Sequence, residues 1–422
     1  MEQKKRVVIV GGGPAGMMAA YTAAQNGADV TILEKNTRLG KKMLISGKGR
    51  CNVTNDSDMP AFLENMPGNG KFLYSAYKNF SAAAVKEWFE SNGVPLKTER
   101  GNRVFPESDH SGDIVSAMER QLRKAGAKVE FLSPVEDILI KEGQVVGART
   151  AQRAIPAEAV LIATGGVSYP LTGSTGDGYR MAKKGGHRVN EILPSLVPLV
   201  VKESYVKDLE GLSLRNVTVT LRKNGKVLDE RFGEMVFTAD GLSGPVILSL
   251  SRAASLHFAT EAKVLPLTID LKPALSDKQL DDRLLRDFEE FSKKDYRHIL
   301  AGLLPRKLIP VFAELSGVDP FRKGHQLTKE DRKNIRRLLK AFPFTVVGCR
   351  PIKEAIVTAG GVSVKEIDPK TMMSKRTKGL FFAGEVMDVD GYTGGFNIQA
   401  ALCSGRQAGE AMAAYCKEGT KV

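Results

Sequence analysis

A chain of 422 residues with 42% apolar and 26% charged side chains has an ordinary soluble globular composition, long enough for two or three domains, and no stretch reaches membrane-spanning length. Its four cysteines, Cys51, Cys349, Cys403 and Cys416, form no C-x-x-C pair and show no zinc spacing, which argues against a dithiol relay or a metal site and suits a reducing cytoplasm. The net charge of +14 admits an anionic partner, but no nucleic-acid motif accompanies it, so an unspecialised basic surface is expected. Lys4, Lys5 and Arg6 before an apolar run imitate a secretory leader. The run is too short for one, and it is needed as a strand.

That strand opens the first unit. Val7 to Val10 is a β-branched run that turns on glycines into an alanine-rich segment, and Val30 to Leu33 then stops at Glu34. Strand, helix, strand and acid in this order form the dinucleotide-binding pattern, with Gly11, Gly13 and Gly16 in the G-x-G-x-x-G slots. Gly11 serves the tight turn, Gly13 the approach of a pyrophosphate, and Gly16 the close packing of helix on strand. With Pro14 and Ala15 they open a helix whose N-H groups favour phosphate, and Asn26-Gly27 ends it. Glu34 sits where a carboxylate accepts hydrogen bonds from ribose hydroxyls.

Arg38 to Asn55 is glycine-rich and basic, and its backbone can wrap a phosphate-bearing ligand while Lys42 and Arg50 balance charge. Cys51 reads as packing against the cofactor rather than as a redox centre. Residues 60 to 125 read as mostly helical, with Phe80 to Phe89 and Asp113 to Lys124 at helical period. Trp88 and Phe89 read as core. Lys128 to Phe131, Ile138 to Ile140 and Val145 to Arg149 read as a small antiparallel meander. Ala159 to Gly166 is an apolar strand ending in Ala-Thr-Gly-Gly, a second flavoprotein signature. The following Thr172 to Tyr179 loop resembles one in flavin-dependent enzymes of the fumarate reductase group and is expected to pass close to a flat ring. His187, beyond the next helix, reads as a surface residue.

From about residue 191 the texture changes to short alternating strands, with Asn224-Gly225 as a hairpin turn. Phe237 to Pro245 reads as a turn-dense loop ahead of an apolar run. Helices follow: Ser276 and Gln279 form a capping box, and Thr328 caps Lys329 to Ala341. Residues 321 to 340 hold eight basic and two acidic side chains, read as a solvated helix face with an anionic partner as the sharper alternative. The sheet signature then returns. Ile356 to Val362 reads as a strand-to-glycine turn, Gly379 to Glu385 as a strand and acid that hold a ribityl chain, and Gly391 to Ala401 opens the last helix. Its N-H groups at Asn397, Ile398 and Gln399 are placed to favour negative charge on a reduced ring.

Together these motifs resemble the bacterial BaiN/RdsA-type flavoproteins, also described as NAD(P)/FAD-dependent or aminoacetone oxidase-like. The resemblance spans nearly the whole chain, and Ser46-Gly47-Lys48-Gly49-Arg50-Cys51-Asn52-Val53-Thr54-Asn55 is its most specific part. It implies non-covalent FAD in a soluble bacterial protein. The implied FAD contacts are Gly11, Gly13, Pro14, Ala15, Gly16, Glu34, Lys35, Lys42, Ser46, Gly47, Arg50, Cys51, Asn52, Thr54, Val135 through its backbone, Thr164, Gly165, Gly166, Gly384, Glu385, Asn397, Ile398 and Gln399. Many members carry His where this chain has Ala239, which puts their chemistry in doubt here.

The expected architecture is α/β. A Rossmann-like FAD-binding domain of the glutathione-reductase-like, two-dinucleotide-binding-fold type comprises residues 1–190 and 355–422. A domain inserted over 191–354 is β-rich in 191–275 and helical in 276–342. The expected activity is FAD-dependent reduction of an activated double bond in a small organic substrate, with NAD(P)H as transient reductant. No second G-x-G-x-x-G unit is present to hold the nicotinamide. The alternatives are an oxygen-using oxidase of a small amine and an RNA-associated or redox-sensing flavoprotein. RNA is disfavoured because neither aromatic stacking platforms nor a known RNA module accompany the charge. No general base, metal site or membrane partner is expected. His110, His187, His257, His298 and His325 lie outside the flavin motifs, and Tyr392 and Thr393 read as structural before they read as proton donors.

Overall fold

In the computed structural model residues 5–418 are described, and Lys4 of the basic opening lies outside them. The chain divides into two compact units, Met1–Pro194 with Ile352–Val422, and Ser195–Pro351. The first is built on β1 (Arg6–Val10), α1 (Pro14–Gln25) and β2 (Asp29–Leu33). A five-stranded parallel sheet runs in the order Leu380–Phe382, Ala159–Ile162, β1, β2, Lys128–Glu130. Its inner strands are near-continuous Val, Ile and Leu because both faces are covered.

Register places the strand ends in one row: Phe382 is opposite Ile162, Ile162 opposite Val10, Val10 opposite Leu33 and Leu33 opposite Glu130. The loops after all five strands therefore leave from one edge. Against the sheet, α1 packs on the C-terminal helix Phe396–Glu418 at very short range. A Cβ on Gly405 would lie 2.3 Å from the Ala15 carbonyl oxygen, and one on Gly409 would lie 2.6 Å from that of Ala19. Four-residue spacing puts both glycines on one helix face, opposite the alanines of α1.

Several expectations change here. Lys128–Glu130 belongs to the parallel sheet because the helix Ser111–Ala125 crosses over into it. The meander is instead Val135–Lys141, Gln144–Thr150 and Ala154–Pro156. The stretch read as helical also contains Leu96–Glu99 and Arg103–Pro106, strands of four residues each, too short to display a period. Its helices Ala82–Ser91, capped by Ser81, and Ser111–Ala125, stopped by left-handed Gly126, are present, with Trp88 and Phe89 buried. Val357–Val362 is a strand through its glycines rather than a turn. A Cβ on Gly360 would lie 1.9 Å from the Glu191 carbonyl oxygen of the paired strand Val189–Ser195.

The second unit holds a closed barrel in the order Leu199–Val201, Gly241–Ser243, Lys226–Thr238, Ser213–Lys223, Leu265–Asp270, Phe342–Cys349. Asn224 and Gly225, at φ 50° and 78°, make the expected two-residue turn. The apolar run at Val246 opens a helix, Pro245–Thr260, started by Pro at its first turn and buried against the Lys226–Thr238 strand. The capping box at Ser276 forms, and the Thr328 cap is completed into a second one by Asp331. The barrel closes through Phe342–Cys349, a strand whose Pro343 and Gly348 hide it in the sequence, so the helices are inserted between two barrel strands.

The helix Lys329–Lys340 does not present a purely solvated basic face. Arg332 and Arg336 reach Asp281 at 3.0 and 3.4 Å, and Lys340 donates to the carbonyls of Lys272 and Leu275.

Candidate functional site

The row of strand ends carries the glycine turn. Gly11 has φ +104° and donates to the Leu33 carbonyl at 3.0 Å. A Cβ there would lie 2.7 Å from the Ala163 carbonyl oxygen, and one on Gly16 would lie 1.9 Å from that of Gly11. Both contacts demand glycine. Gly13 differs, with nothing within 4 Å of the place a Cβ would occupy. The α1 start has Pro14 at its first turn, no side-chain cap and no acid. Met17 N-H bonds the Gly13 carbonyl at 2.9 Å, so the amides before it have no helical acceptor and suit an anion.

Glu34 is buried and preorganised. Its Oε2 accepts from Gly12 N-H at 2.7 Å, and its Oε1 accepts from Asn36 N-H at 2.8 Å and Asn36 Nδ2 at 2.7 Å. Ser133 N-H donates to the Glu34 carbonyl at 3.0 Å, which brings buried Val135 to the same edge. Lys35 bonds Thr175 and, at 2.7 Å, Asp177 Oδ2, while Asn36 Nδ2 donates to the Thr172 carbonyl at 3.1 Å. The Thr172–Asp177 loop is thereby tied to the Glu34 end of the edge, where the sequence suggested a place beside a flat ring. Burial works against the Asp177 carboxylate, but hydrogen bonds from Lys35 and Thr175 outweigh it and hold its pKa below the usual range.

Lys42, in α2 (Lys41–Ile45), joins loops from two other strands. Its Nζ donates to Ser168 Oγ at 2.7 Å and Glu385 Oε2 at 2.8 Å, and Glu385 Oε1 accepts from Thr358 N-H at 3.0 Å. Gly165 and Gly166 are held in this corner. A Cβ on Gly166 would lie 2.2 Å from Thr358 Oγ1 and 2.9 Å from Glu385 Oε1. Gly384 backs onto α1, where a Cβ would lie 2.9 Å from that of Ala15. Asn36, Ser168 and Thr358 were missed in the sequence. Only Asn36, adjacent to the acid, carried a local signal.

Within Ser46–Asn55, Ser46 Oγ donates to the Met43 carbonyl at 2.7 Å and Gly47 is left-handed at φ 57°. Arg50 bonds Glu99 and Asp109 and lies 4.0 Å over the Phe105 ring, so its charge is balanced by protein carboxylates rather than left for a ligand. Cys51 is fully buried, and burial pushes its thiol up to about 12, which rules against a thiolate at neutral pH. Thr54 Oγ1 donates to Gln399 Oε1 at 2.6 Å, and Asn397 clasps both backbone groups of Gly391. The Gln399 N-H already bonds the Gly395 carbonyl at 3.0 Å, which leaves Asn397 and Ile398 as the open amides of that helix start. Tyr392 and Thr393 are half-buried, and the Tyr392 N-H bonds the Asn65 carbonyl at 2.9 Å.

Asn52 Oδ1 and Thr164 Oγ1 are buried without a hydrogen-bond partner. Orphaned acceptors and hydroxyls cost free energy unless a ligand or water meets them. With the open space at Gly13 they fit an edge that holds a dinucleotide. A separate cleft of about 230 Å³, lined by residues including Val94, Glu107 and Arg120, contains none of the expected cofactor residues. Among the described residues no group of three or more His, Cys, Asp or Glu is placed to hold a metal ion, and no helix is long and apolar enough to cross a membrane.

One further residue departs from expectation, and Ala239 lies within its expected turn. His187 is buried rather than exposed, edge-on to Phe382, with Nε2 2.7 Å from Ser374 Oγ. Its Nδ1 is 3.6 Å from Glu366, too far for a hydrogen bond, and burial lowers its pKa to about 4. Ala239 is exposed at the two-residue tip between the Lys226–Thr238 and Gly241–Ser243 strands.

The HI0933-like protein Rossmann domain matches residues 5–411. The chain is 32% identical over 413 residues to a 3-dehydro-bile acid delta(4,6)-reductase of Clostridium scindens, covering 97% of this chain and 99% of that one. It is 31% identical over 410 residues to a ribosomal RNA dihydrouridine synthase of Haemophilus influenzae, covering 96% and 97%. A 3-ketosteroid-delta4-(5alpha)-dehydrogenase structure from Rhodococcus jostii shares the fold, with a TM-score of 0.52, 16% identity and coverage of 98% and 97%. The family match over residues 5–411 and the similarity across nearly the whole chain agree: the chain belongs to the HI0933-like Rossmann-domain family of flavin-dependent oxidoreductases.

Proposed function

We propose that the chain holds FAD along the carboxyl edge of its parallel sheet and uses it to saturate a carbon–carbon double bond conjugated to a carbonyl, with NAD(P)H as reductant and a small organic molecule as substrate. The observation that carries this is the register of the sheet, which sends the loops after Val10, Leu33, Glu130, Ile162 and Phe382 out along one edge. The α1 amides hold the pyrophosphate, Glu34 accepts from the ribose hydroxyls, and the Val135 backbone meets the adenine. Lys42 keeps Glu385 neutralised, and the Asn397 and Ile398 amides favour negative charge. The chemistry FAD supplies when bound is two-electron hydride transfer.

The Clostridium relative is named as a reductase of such a double bond, and dihydrouridine in the Haemophilus relative's name is uridine saturated across a ring double bond conjugated to a carbonyl. The Haemophilus relative, with the net charge of +14, favours a second substrate reading, a uridine base in ribosomal RNA. The experiment is to add NADH or NADPH to the yellow holoenzyme without oxygen and follow the oxidised-flavin band, then to offer a conjugated steroid enone or ribosomal RNA. Rapid bleaching with reoxidation by one acceptor supports the proposal. A flavin that stays oxidised with both nucleotides sinks it and brings small amines forward.

A further inference from the structure

Basic charge is concentrated in one part of the second unit. Residues 293 to 340 hold thirteen Lys or Arg and five Asp or Glu. Within the helix Lys329–Lys340, Arg332, Arg336 and Lys340 are engaged by Asp281 and Asp270. The segment ahead of that helix is different. A bridge between Asp295 and Lys323, with Tyr296 N-H on the Arg322 carbonyl at 2.8 Å and Arg297 N-H on the Pro320 carbonyl at 3.0 Å, lays the two segments side by side.

This displays Phe321, which is 60% exposed, beneath the Arg297 guanidinium at 4.5 Å from the ring centroid. Along the same segments Lys294 lies 4.5 Å over Phe291, and Gly324 N-H bonds the Lys294 carbonyl at 3.0 Å. Asp295 is the acid these cations share, 2.6 Å from Lys323, 3.6 Å from His298 and 3.9 Å from Arg297.

A largely exposed aromatic ring with a planar cation over one face, set among further cations, matches what single-stranded nucleic acid needs: bases stack on the ring–guanidinium platform, and phosphates meet the charges. An acidic peptide would use the cations and leave Phe321 without a role. We propose that the Arg297–Phe321–Lys323 face is a docking surface for single-stranded RNA. It stands independently of the flavin chemistry and is tested by binding alone.

The test is fluorescence anisotropy of the full-length protein with a labelled, unstructured RNA of about 20 nucleotides across a salt series, a length that exceeds one stacking site. Expected are affinity that falls steeply with salt and a loss of about tenfold in Phe321→Ala, from a stacked base removed. Arg297→Ala with Lys323→Ala should lower the slope of log affinity against log salt by about 1.4, two phosphate contacts at about 0.7 each. Thermal unfolding of each variant checks that the fold is intact. Undetectable RNA binding by the wild type overturns the proposal. So does equal binding by a well-folded Phe321→Ala variant, or a polyglutamate peptide that displaces the RNA equally from wild type and Phe321→Ala.

Discussion

The sheet edge and the Arg297–Phe321 face both carry basic residues, and they use them differently. At the edge each conspicuous cation meets a protein carboxylate: Lys35 meets Asp177, Lys42 meets Glu385, and Arg50 meets Glu99 and Asp109. On the face, Lys323, Arg297 and His298 share one acid, Asp295, and an aromatic ring stands largely in water. In the proposed readings, ligand contact at the edge falls to backbone amides and unpartnered polar atoms, whereas on the face it falls to side-chain charge and stacking. A lysine in a binding motif is not by itself a charge offered to the ligand. Where desolvation makes a lone charge costly, a counterion on a neighbouring loop neutralises it.

The largest break in this contrast is Gly16→Val, which drives a side chain into the Gly11 carbonyl oxygen. It should cost about 3 kcal/mol or more and leave little folded protein. An unchanged unfolding midpoint would contradict the packing described for α1. Acid titration gives an effect of roughly 3 kcal/mol at the interior of the same unit. An unfolded histidine protonates near pH 6.5, whereas native His187 does so only near 4. Between those values the unfolded state binds more protons, so stability should fall as pH drops through the window and level off below it. His187→Gln should flatten that part of the stability–pH curve; an unaltered slope would assign the acid sensitivity elsewhere.

Lys42→Met comes next, with a loss of about 2 kcal/mol because Glu385 keeps its charge half-buried and unpaired. Adding Glu385→Gln should restore much of the stability and FAD affinity in a double-mutant cycle. Strict additivity would instead make Lys42 a direct ligand contact. Gly13→Val sharpens the contrast between wall and ligand space. Stability of the cofactor-free protein should change by less than about 0.5 kcal/mol, while FAD binds at least about tenfold more weakly, a loss of about 1.4 kcal/mol. Equal FAD affinity would place the pyrophosphate elsewhere.

Local chemistry in the sequence was enough for the β1–α1–β2 turn, the caps at Ser276 and Thr328, the Asn224-Gly225 hairpin and the acid after Leu380–Phe382. Each depends on glycine freedom, a capping hydroxyl or a buried β-branched run within a few residues. Other features depend on residues distant in the chain and left no such signal. Lys42 finds Glu385 across 343 positions, Phe342–Cys349 becomes a strand because a barrel needs closing, and His187 owes its lowered pKa to burial against distant residues such as Phe382. Spacing and side-chain type determined where the backbone turns and which faces are apolar. Only the tertiary structure decided which charges are neutralised and which remain for a partner, because counterions and desolvation are set by distance in space rather than along the chain.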